Sequence, residues 1–204
     1  MHLIPTEDEV VQVLRQTGAL RDGHFEYPSG LHSNQYLQVP LALRHSANLR
    51  MLSVGLSRKL RANPEIRAVA SDLSLVAPMT GGLPVAYGMC EAMRARQVYW
   101  SEREHDSQPW RFRPFLEPLR GEPVILVDDV LRSGTTAAGL KRLLESFGAT
   151  VLGLAVVVYQ PTPEIRVADG LPLYYLARLE ASYAVDSAHC QWCQRGIPLE
   201  KVWV

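Results

Sequence analysis

The chain has 204 residues, 47% of them hydrophobic, which is length and material for one domain with a sizeable core. Its 21 basic and 21 acidic residues cancel, which argues against a nucleic-acid partner yet leaves room for a small basic pocket. No apolar run approaches the ~20 residues of a bilayer-spanning helix, Met1-His2-Leu3-Ile4-Pro5-Thr6 lacks an export pattern, and three cysteines are too few for a disulfide framework, so a reduced cytoplasmic protein with no membrane partner is expected.

Thr6 and Glu9 fit a capping box, in which each side chain satisfies a free amide at a helix start. Val10, Val13, Leu14 and Thr17 then share one face, and Gly18 offers a stop. Residues 21–38, dense in Gly, Ser, His, Asn and Tyr, read as loop. A second helix starts near Ser46, carries Leu49, Leu52, Leu56 and Leu60 as its stripe, and ends before Asn63-Pro64. From there strand and helix alternate. Residues 73–77 are a short apolar run broken by Pro78-Met79-Thr80-Gly81-Gly82, after which Leu83, Ala86, Tyr87, Cys90 and Met93 recur at helical spacing. Residues 97–100 read as a strand. Residues 101–114 are polar, aromatic and aperiodic, and so long an irregular segment inside a compact domain is more often functional than filler.

The clearest unit follows. Residues 123–127 form a buried-type strand, the next helix carries Leu140, Leu143, Leu144 and Phe147 to a stop at Gly148, and residues 151–158 form a second apolar strand. Such a βαβ unit is parallel with a right-handed crossover. The expected fold is α/β, an open, mainly parallel twisted sheet flanked by helices, with ligand at the carboxyl ends of its strands.

Chemistry concentrates in Asp128-Asp129-Val130-Leu131-Arg132-Ser133-Gly134-Thr135-Thr136. The strand delivers two adjacent carboxylates to the sheet edge, where they can accept hydrogen bonds from the vicinal hydroxyls of a sugar. The turn 132–136 then opens a helix whose amides and hydroxyls suit a phosphate dianion, and Gly134 permits the close backbone approach. Acids for a sugar beside donors for its phosphate describe a ribose 5-phosphate site. A plain capped helix behind surface acids is the bland alternative, and two acids placed directly after a buried strand weigh against it. Neither a Gly-x-x-x-x-Gly-Lys-Ser/Thr loop nor a Gly-x-Gly-x-x-Gly turn after a strand occurs.

This segment resembles the phosphoribosyl diphosphate signature of the type I phosphoribosyltransferases. Ser29-Gly30-Leu31-His32-Ser33-Asn34-Gln35-Tyr36-Leu37-Gln38 is similar to the hood segment of bacterial orotate phosphoribosyltransferases, residues 77–82 to their pyrophosphate loop, and Glu102-Arg103-Glu104 to the start of their mobile catalytic loop. The tail Cys190-Gln191-Trp192-Cys193-Gln194-Arg195-Gly196-Ile197-Pro198-Leu199 resembles the ending of one branch. The resemblance implies one domain over 1–204, with residues 1–45 giving an N-terminal helix and hood and 186–204 a tail. It also implies Mg²⁺-dependent transfer from phosphoribosyl diphosphate to a nucleobase, with orotate the leading acceptor and orotidine 5′-monophosphate and pyrophosphate the products. Carried over by position, Asp128 and Asp129 hold the ribose hydroxyls, Arg132 to Thr136 the 5-phosphate, with Val130 and Leu131 among the substrate-binding residues, and Thr80, Gly81 and Gly82 face the diphosphate. Arg103 then meets the leaving pyrophosphate, Ser29, Gly30 and His32 belong to the hood side of the substrate site, and Mg²⁺ is held mainly by substrate oxygens and water. A homodimer follows from the same resemblance, because the mobile loop of those enzymes reaches the neighbouring subunit.

Several residues depart from that pattern. After Arg103 the loop offers His105 but no lysine, Arg132 stands where orotate enzymes commonly have Thr, and Tyr159-Gln160-Pro161 replaces an arginine expected to meet the base. Two other readings therefore stay open, a transferase for another base and a non-catalytic module that binds phosphoribosyl diphosphate. Without the resemblance Arg103, between two glutamates, reads as a solvated charge, as do Arg111 and Arg113. Trp110 and Phe112 either shield the site or pack beneath the loop. Cys190-x-x-Cys193 with the adjacent His189 gives three ligands, one short of a structural metal site, so a packed or surface turn is expected. His32 lines the base pocket or sits exposed on its loop, near His24 and His45.

Overall fold

A computed structural model describes residues 4–105, 108–163, 165 and 170–202. The first three residues, Asp106 and Ser107 of the irregular segment, and the last two residues of the tail lie outside the described residues. Helix α1 (Glu7–Gln16) begins at the expected capping box, where Glu9 N–H donates to Thr6 Oγ1 at 3.2 Å and Thr6 N–H to Glu9 Oε2 at 2.8 Å. Strands β1 (Leu20–Glu26) and β2 (His32–Leu37) follow, then α2 (Pro40–Leu43), α3 (Ser46–Arg61) and α4 (Pro64–Ala68). The alternating region comprises β3 (Ser74–Pro78), α5 (Gly82–Met93), β4 (Gln97–Ser101), β5 (Pro123–Leu131), α6 (Thr135–Phe147), β6 (Thr150–Tyr159) and β7 (Leu173–Arg178). The chain closes with β8 (Tyr183–Ala184), α7 (Gln191–Gln194) and β9 (Glu200–Lys201).

Among the described residues the main sheet has five strands in the order β4-β3-β5-β6-β7, every neighbouring pair parallel. Its strands alternate between two cores, as a pleat requires. Ile125 and Val127 of β5 join the α3/α5 side, with Leu52, Leu56, Leu60, Val85 and Met89, while Val124 and Leu126 join Leu140 and Leu144 of α6. Burying each such side chain stabilises the fold by about 1.5–3 kcal/mol. At the amino ends of the strands, Glu122 is buried and accepts from Gln97 Nε2 (2.9 Å), the Leu119 amide (2.8 Å), the Tyr99 hydroxyl (3.1 Å) and Ser74 Oγ.

A second sheet, β8-β2-β1-β9, caps one end and is built from both ends of the chain. The hood is thus not N-terminal alone. The tail contributes β8, antiparallel to β2, and β9, parallel to β1. Residues 21–38 are a hairpin rather than loop: β1 and β2 pair antiparallel with a register shift between Asp22 and Phe25, around a turn where Gly30 takes φ +81°. Arg21, Asp22 and Gly23 are exposed in succession, so no apolar alternation marked the strand. β5 also runs beyond Val127, because pairing with β6 continues through Asp128↔Val156 to Leu131↔Tyr159. The two acids are in the strand, not after it.

Candidate active site

β3 and β5 lie side by side where the strand order diverges, β4 on one flank and β6 on the other. Loops leaving the carboxyl ends there part from each other and open a crevice. It consists of a cavity of ≈ 280 Å³, with Asp128, Asp129, Ser133, Gly134 and Thr136 in its walls, and a neighbouring one of ≈ 530 Å³. The latter shares Asp128, Asp129 and Thr136 and adds Met79, Gly81, Arg103 and Trp110.

The acids form the floor. Asp129 N–H donates to Asp128 Oδ1 and Val130 N–H to Asp129 Oδ1, each at 2.9 Å. Burial raises both carboxyls above the ordinary range, Asp128 well above it. The Asp129 charge pushes Asp128 further, whereas a hydrogen bond to Asp128 and the Arg132 charge pull Asp129 part of the way back. Both carboxyls line the crevice, where sugar hydroxyls or a cation carried by the substrate would add to these bonds.

Two helices start at the rim. α6 is preceded by Gly134 at φ 79°, and α5 by Gly81; neither N-cap supplies a side-chain hydrogen bond. At these starts Thr135 N–H reaches Ser133 Oγ and Leu83 N–H the Thr80 carbonyl, each at a long 3.4 Å, so an anion can compete for them, and the positive helix ends favour one. Ser133 Oγ and Thr135 Oγ1 sit 3.0 Å apart beside the α6 start. The two rims touch: a Cβ on Gly81 would come 2.9 Å from Asp129 Oδ1, and one on Gly82 would come 2.7 Å from the Val127 carbonyl oxygen. Only glycine lets the α5 loop lie this close to the acids.

The irregular segment folds back on itself through a bridge between Glu102 and Arg111. Arg111 pairs with Glu104 at 2.5 Å and Arg113 with Glu102 at 3.1 Å, so these two arginines are spent on the loop. Arg103 faces the crevice with its guanidinium 4.8 Å from the centre of the Trp110 ring. Trp110 in turn rests on Gly139 of α6, where a Cβ would meet its Cδ1 at 2.5 Å, and Phe112 is buried in the α6-side core.

Other expected residues sit differently. Leu131 turns its side chain into the α6-side core and Val130 packs against the other core, leaving their backbone to the crevice. The Arg132 guanidinium is not aimed at the phosphate turn. Its Nε donates to Gln160 Oε1 (3.2 Å) and an Nη to the Leu37 carbonyl (2.6 Å), over the Tyr27 ring. Gln160, fully buried, also donates to Gln35 Oε1 at 3.1 Å. This network joining hood to sheet was signalled in sequence only by the unusual Tyr159-Gln160 pair. Ser29 lines a different cavity of ≈ 310 Å³, with Leu31, Thr162, Pro163, Tyr183 and Val185, and Gly30 sits in the hairpin turn. The Tyr183 hydroxyl there is buried without a hydrogen-bond partner, and burial pushes its pKa up to about 12. His32, expected in the base pocket or exposed on a loop, is in neither place: it is absent from the walls of the cavities above and its ring is buried against His24 and Cys193. The hairpin pairing, invisible to local spacing, turned it inward.

Two helix starts and an acid pair converge at the switch point of a parallel sheet, an arrangement with the chemistry to hold a sugar carrying phosphates at both ends. Residues 55–170 match the phosphoribosyl transferase domain family. An orotate phosphoribosyltransferase of Pelotomaculum thermopropionicum is 32% identical over 197 residues, 96% of each chain, and one of Thermotoga maritima is 29% identical over 192 residues, 94% of this chain and 96% of that one. The chain belongs to the phosphoribosyltransferase family. The crystal structure of orotate phosphoribosyltransferase from Aeropyrum pernix has the same fold, with a TM-score of 0.66 at 23% identity, covering 83% of this chain and 93% of that one. That of the Mycobacterium tuberculosis enzyme in complex with inorganic phosphate gives 0.60 at 21%, covering 85% and 95%.

Proposed function

We propose that this protein transfers the phosphoribosyl group of phosphoribosyl diphosphate to orotate, forming orotidine 5′-monophosphate and pyrophosphate. The observation that carries this reading is the convergence of Asp128, Asp129 and the starts of α5 and α6 on one crevice. A bond forms from the base nitrogen to the anomeric carbon as the bond to diphosphate breaks, and the nitrogen's proton is released. Asp128 and Asp129 accept the ribose hydroxyls and favour positive charge developing on the sugar; the α6 start holds the 5-phosphate and the α5 start the diphosphate. Arg103, steadied on Trp110, meets charge growing on the leaving group, and the 101–114 loop excludes water that would hydrolyse the donor. The acid pair, hard oxygen donors lining the crevice, suits Mg²⁺ brought in with the diphosphate, and that ion would neutralise the leaving group.

For orotate in particular the support is the name shared by full-length relatives and the cation at the hood. Arg132 keeps N–H donors beyond the two engaged ones, and its charge reaches the unpartnered Tyr183 hydroxyl, so the two suit an anionic base with a polar edge. A cytoplasmic homodimer fits the rest: no disulfide joins the cysteines, and Met79, which lines the crevice, and Tyr87 of α5 expose apolar surface. Pyrophosphate release measured across pyrimidine and purine bases tests the proposal. Turnover with orotate and Mg²⁺ is expected; turnover only with another base overturns the acceptor. Donor-induced thermal stabilisation without any turnover would make the protein a binding module instead.

A further inference from the structure

Four side chains outside the crevice meet at one point. His24 of β1, His32 at the start of β2, Cys190 before α7 and Cys193 within it bring their ligating atoms within 4.8 Å of one another, and the first three residues are buried. His189, the neighbour considered in sequence, is exposed and bonded to Asp186 at 2.7 Å. The fourth ligand, and the third, come instead from the hood hairpin at the other end of the chain.

We propose that His24, His32, Cys190 and Cys193 form a structural zinc site that staples the tail to the hood. With Zn–S about 2.3 Å and Zn–N about 2.0–2.1 Å, a tetrahedral ion spaces two nitrogens about 3.3 Å apart and a nitrogen and a sulfur about 3.5 Å apart. Here His24 Nε2 and His32 Nδ1 are 3.1 Å apart, and the nitrogen–sulfur separations are 3.4 Å (Cys190–His24), 3.6 Å (Cys193–His24) and 3.4 Å (Cys193–His32). Four of the six edges of a coordination tetrahedron are thus already in place, and the other two, Cys190–His32 and Cys190–Cys193, are no longer than 4.8 Å.

The tautomer agrees. His24 Nδ1–H donates to the Ile197 carbonyl at 3.0 Å, which leaves the Nε2 lone pair directed at the cluster, as a second partner does for metal-bound histidines. Without an ion, His24 Nε2 can accept one good hydrogen bond, from His32 Nδ1–H at 3.1 Å, but the buried Cys190 and the Cys193 thiol are left with only long sulfur contacts to these rings, at 3.4–3.6 Å. On binding, both thiols lose their protons to solvent and the imidazoles coordinate neutral, giving an uncharged Cys₂His₂ complex. Thiolate and imidazole together select zinc over magnesium or calcium, and four protein ligands leave no open position, so the role is structural.

Tag-free full-length protein purified under reducing, anaerobic conditions is expected to carry about one zinc ion per chain by elemental mass spectrometry. Exchange for Co²⁺ should give the strong visible bands of tetrahedral cobalt with thiolate charge transfer in the near ultraviolet. Cys193→Ser should lower zinc affinity at least about tenfold, and His189→Ala should leave zinc content unchanged. If Cys193→Ser does not fold, the cobalt spectrum of the unaltered chain decides. Zinc below about a tenth of an equivalent with no tetrahedral cobalt spectrum overturns the site, and so does a Cys190–Cys193 disulfide in protein prepared this way. None of these readouts depends on turnover, so the site stands or falls separately from the proposed reaction.

Discussion

Asp128 carries two opposed demands. Its carboxyl is raised by burial and by Asp129, so the native protein holds its proton more tightly than the unfolded chain does. That difference costs stability as pH rises above the unfolded value of about 3.9 and is complete above the folded pKa. Asp128→Asn is therefore expected to raise stability by ~0.5–2 kcal/mol at neutral pH, a gain that disappears toward pH 4, while donor affinity drops. Denaturant titrations across pH, with calorimetry of donor binding, check this; a variant less stable at pH 7 would contradict it. Arg103 makes the converse case. Arg103→Ala is expected to lower kcat on the order of 100-fold with donor Kd little changed, because the leaving group's charge grows only in the transition state. Steady-state kinetics beside equilibrium binding separates the two effects.

The loop and α6 act together through one contact. A Cβ at Gly139 would strike Trp110, the platform of Arg103, so Gly139→Ala must move the ring. Alanine favours a helix over glycine by about 1 kcal/mol, so the variant is expected to keep its thermal stability yet lose turnover, measured as Tm against kcat. Elements of this kind were largely legible in sequence. α1, α3, α5 and α6 announced themselves by capping residues and apolar spacing, and β3, β5 and β6 by buried runs. The hood strands were not: β8 and β9 are two residues long, β1 exposes three residues in succession, and all depend on partners from the far end of the chain. The same long-range pairing hid the Cys/His cluster and the turn of Arg132 toward Leu37, whereas the acid pair and phosphate turn are contiguous and could be read directly.

Across the whole molecule, the two ends of the main sheet treat buried acid differently. Burial alone would raise Glu122, but Ser74, the Leu119 amide, Gln97 and Tyr99 outweigh it and hold the carboxyl below its usual range. Its contribution is therefore full above the unfolded value of about 4.3 and is lost as pH falls through the lower folded one. Glu122→Gln should cost ~1–3 kcal/mol at pH 7, with the difference fading in acid and the kinetics unaltered. An acid held below its usual range by four donors anchors one end; a pair pushed above its range by burial lies at the other.

Gly81 and Gly82 leave no slack between the α5 loop and the tip of β5. On the proposed reading, a descendant of this protein could not remodel the loop assigned to the diphosphate without displacing the carboxylates assigned to the sugar, so the donor half would be inherited as a block. Adaptation to a new acceptor would then be written in the hood, away from the Cys/His cluster and the Arg132–Gln160 network that tie its strands to the tail and the sheet.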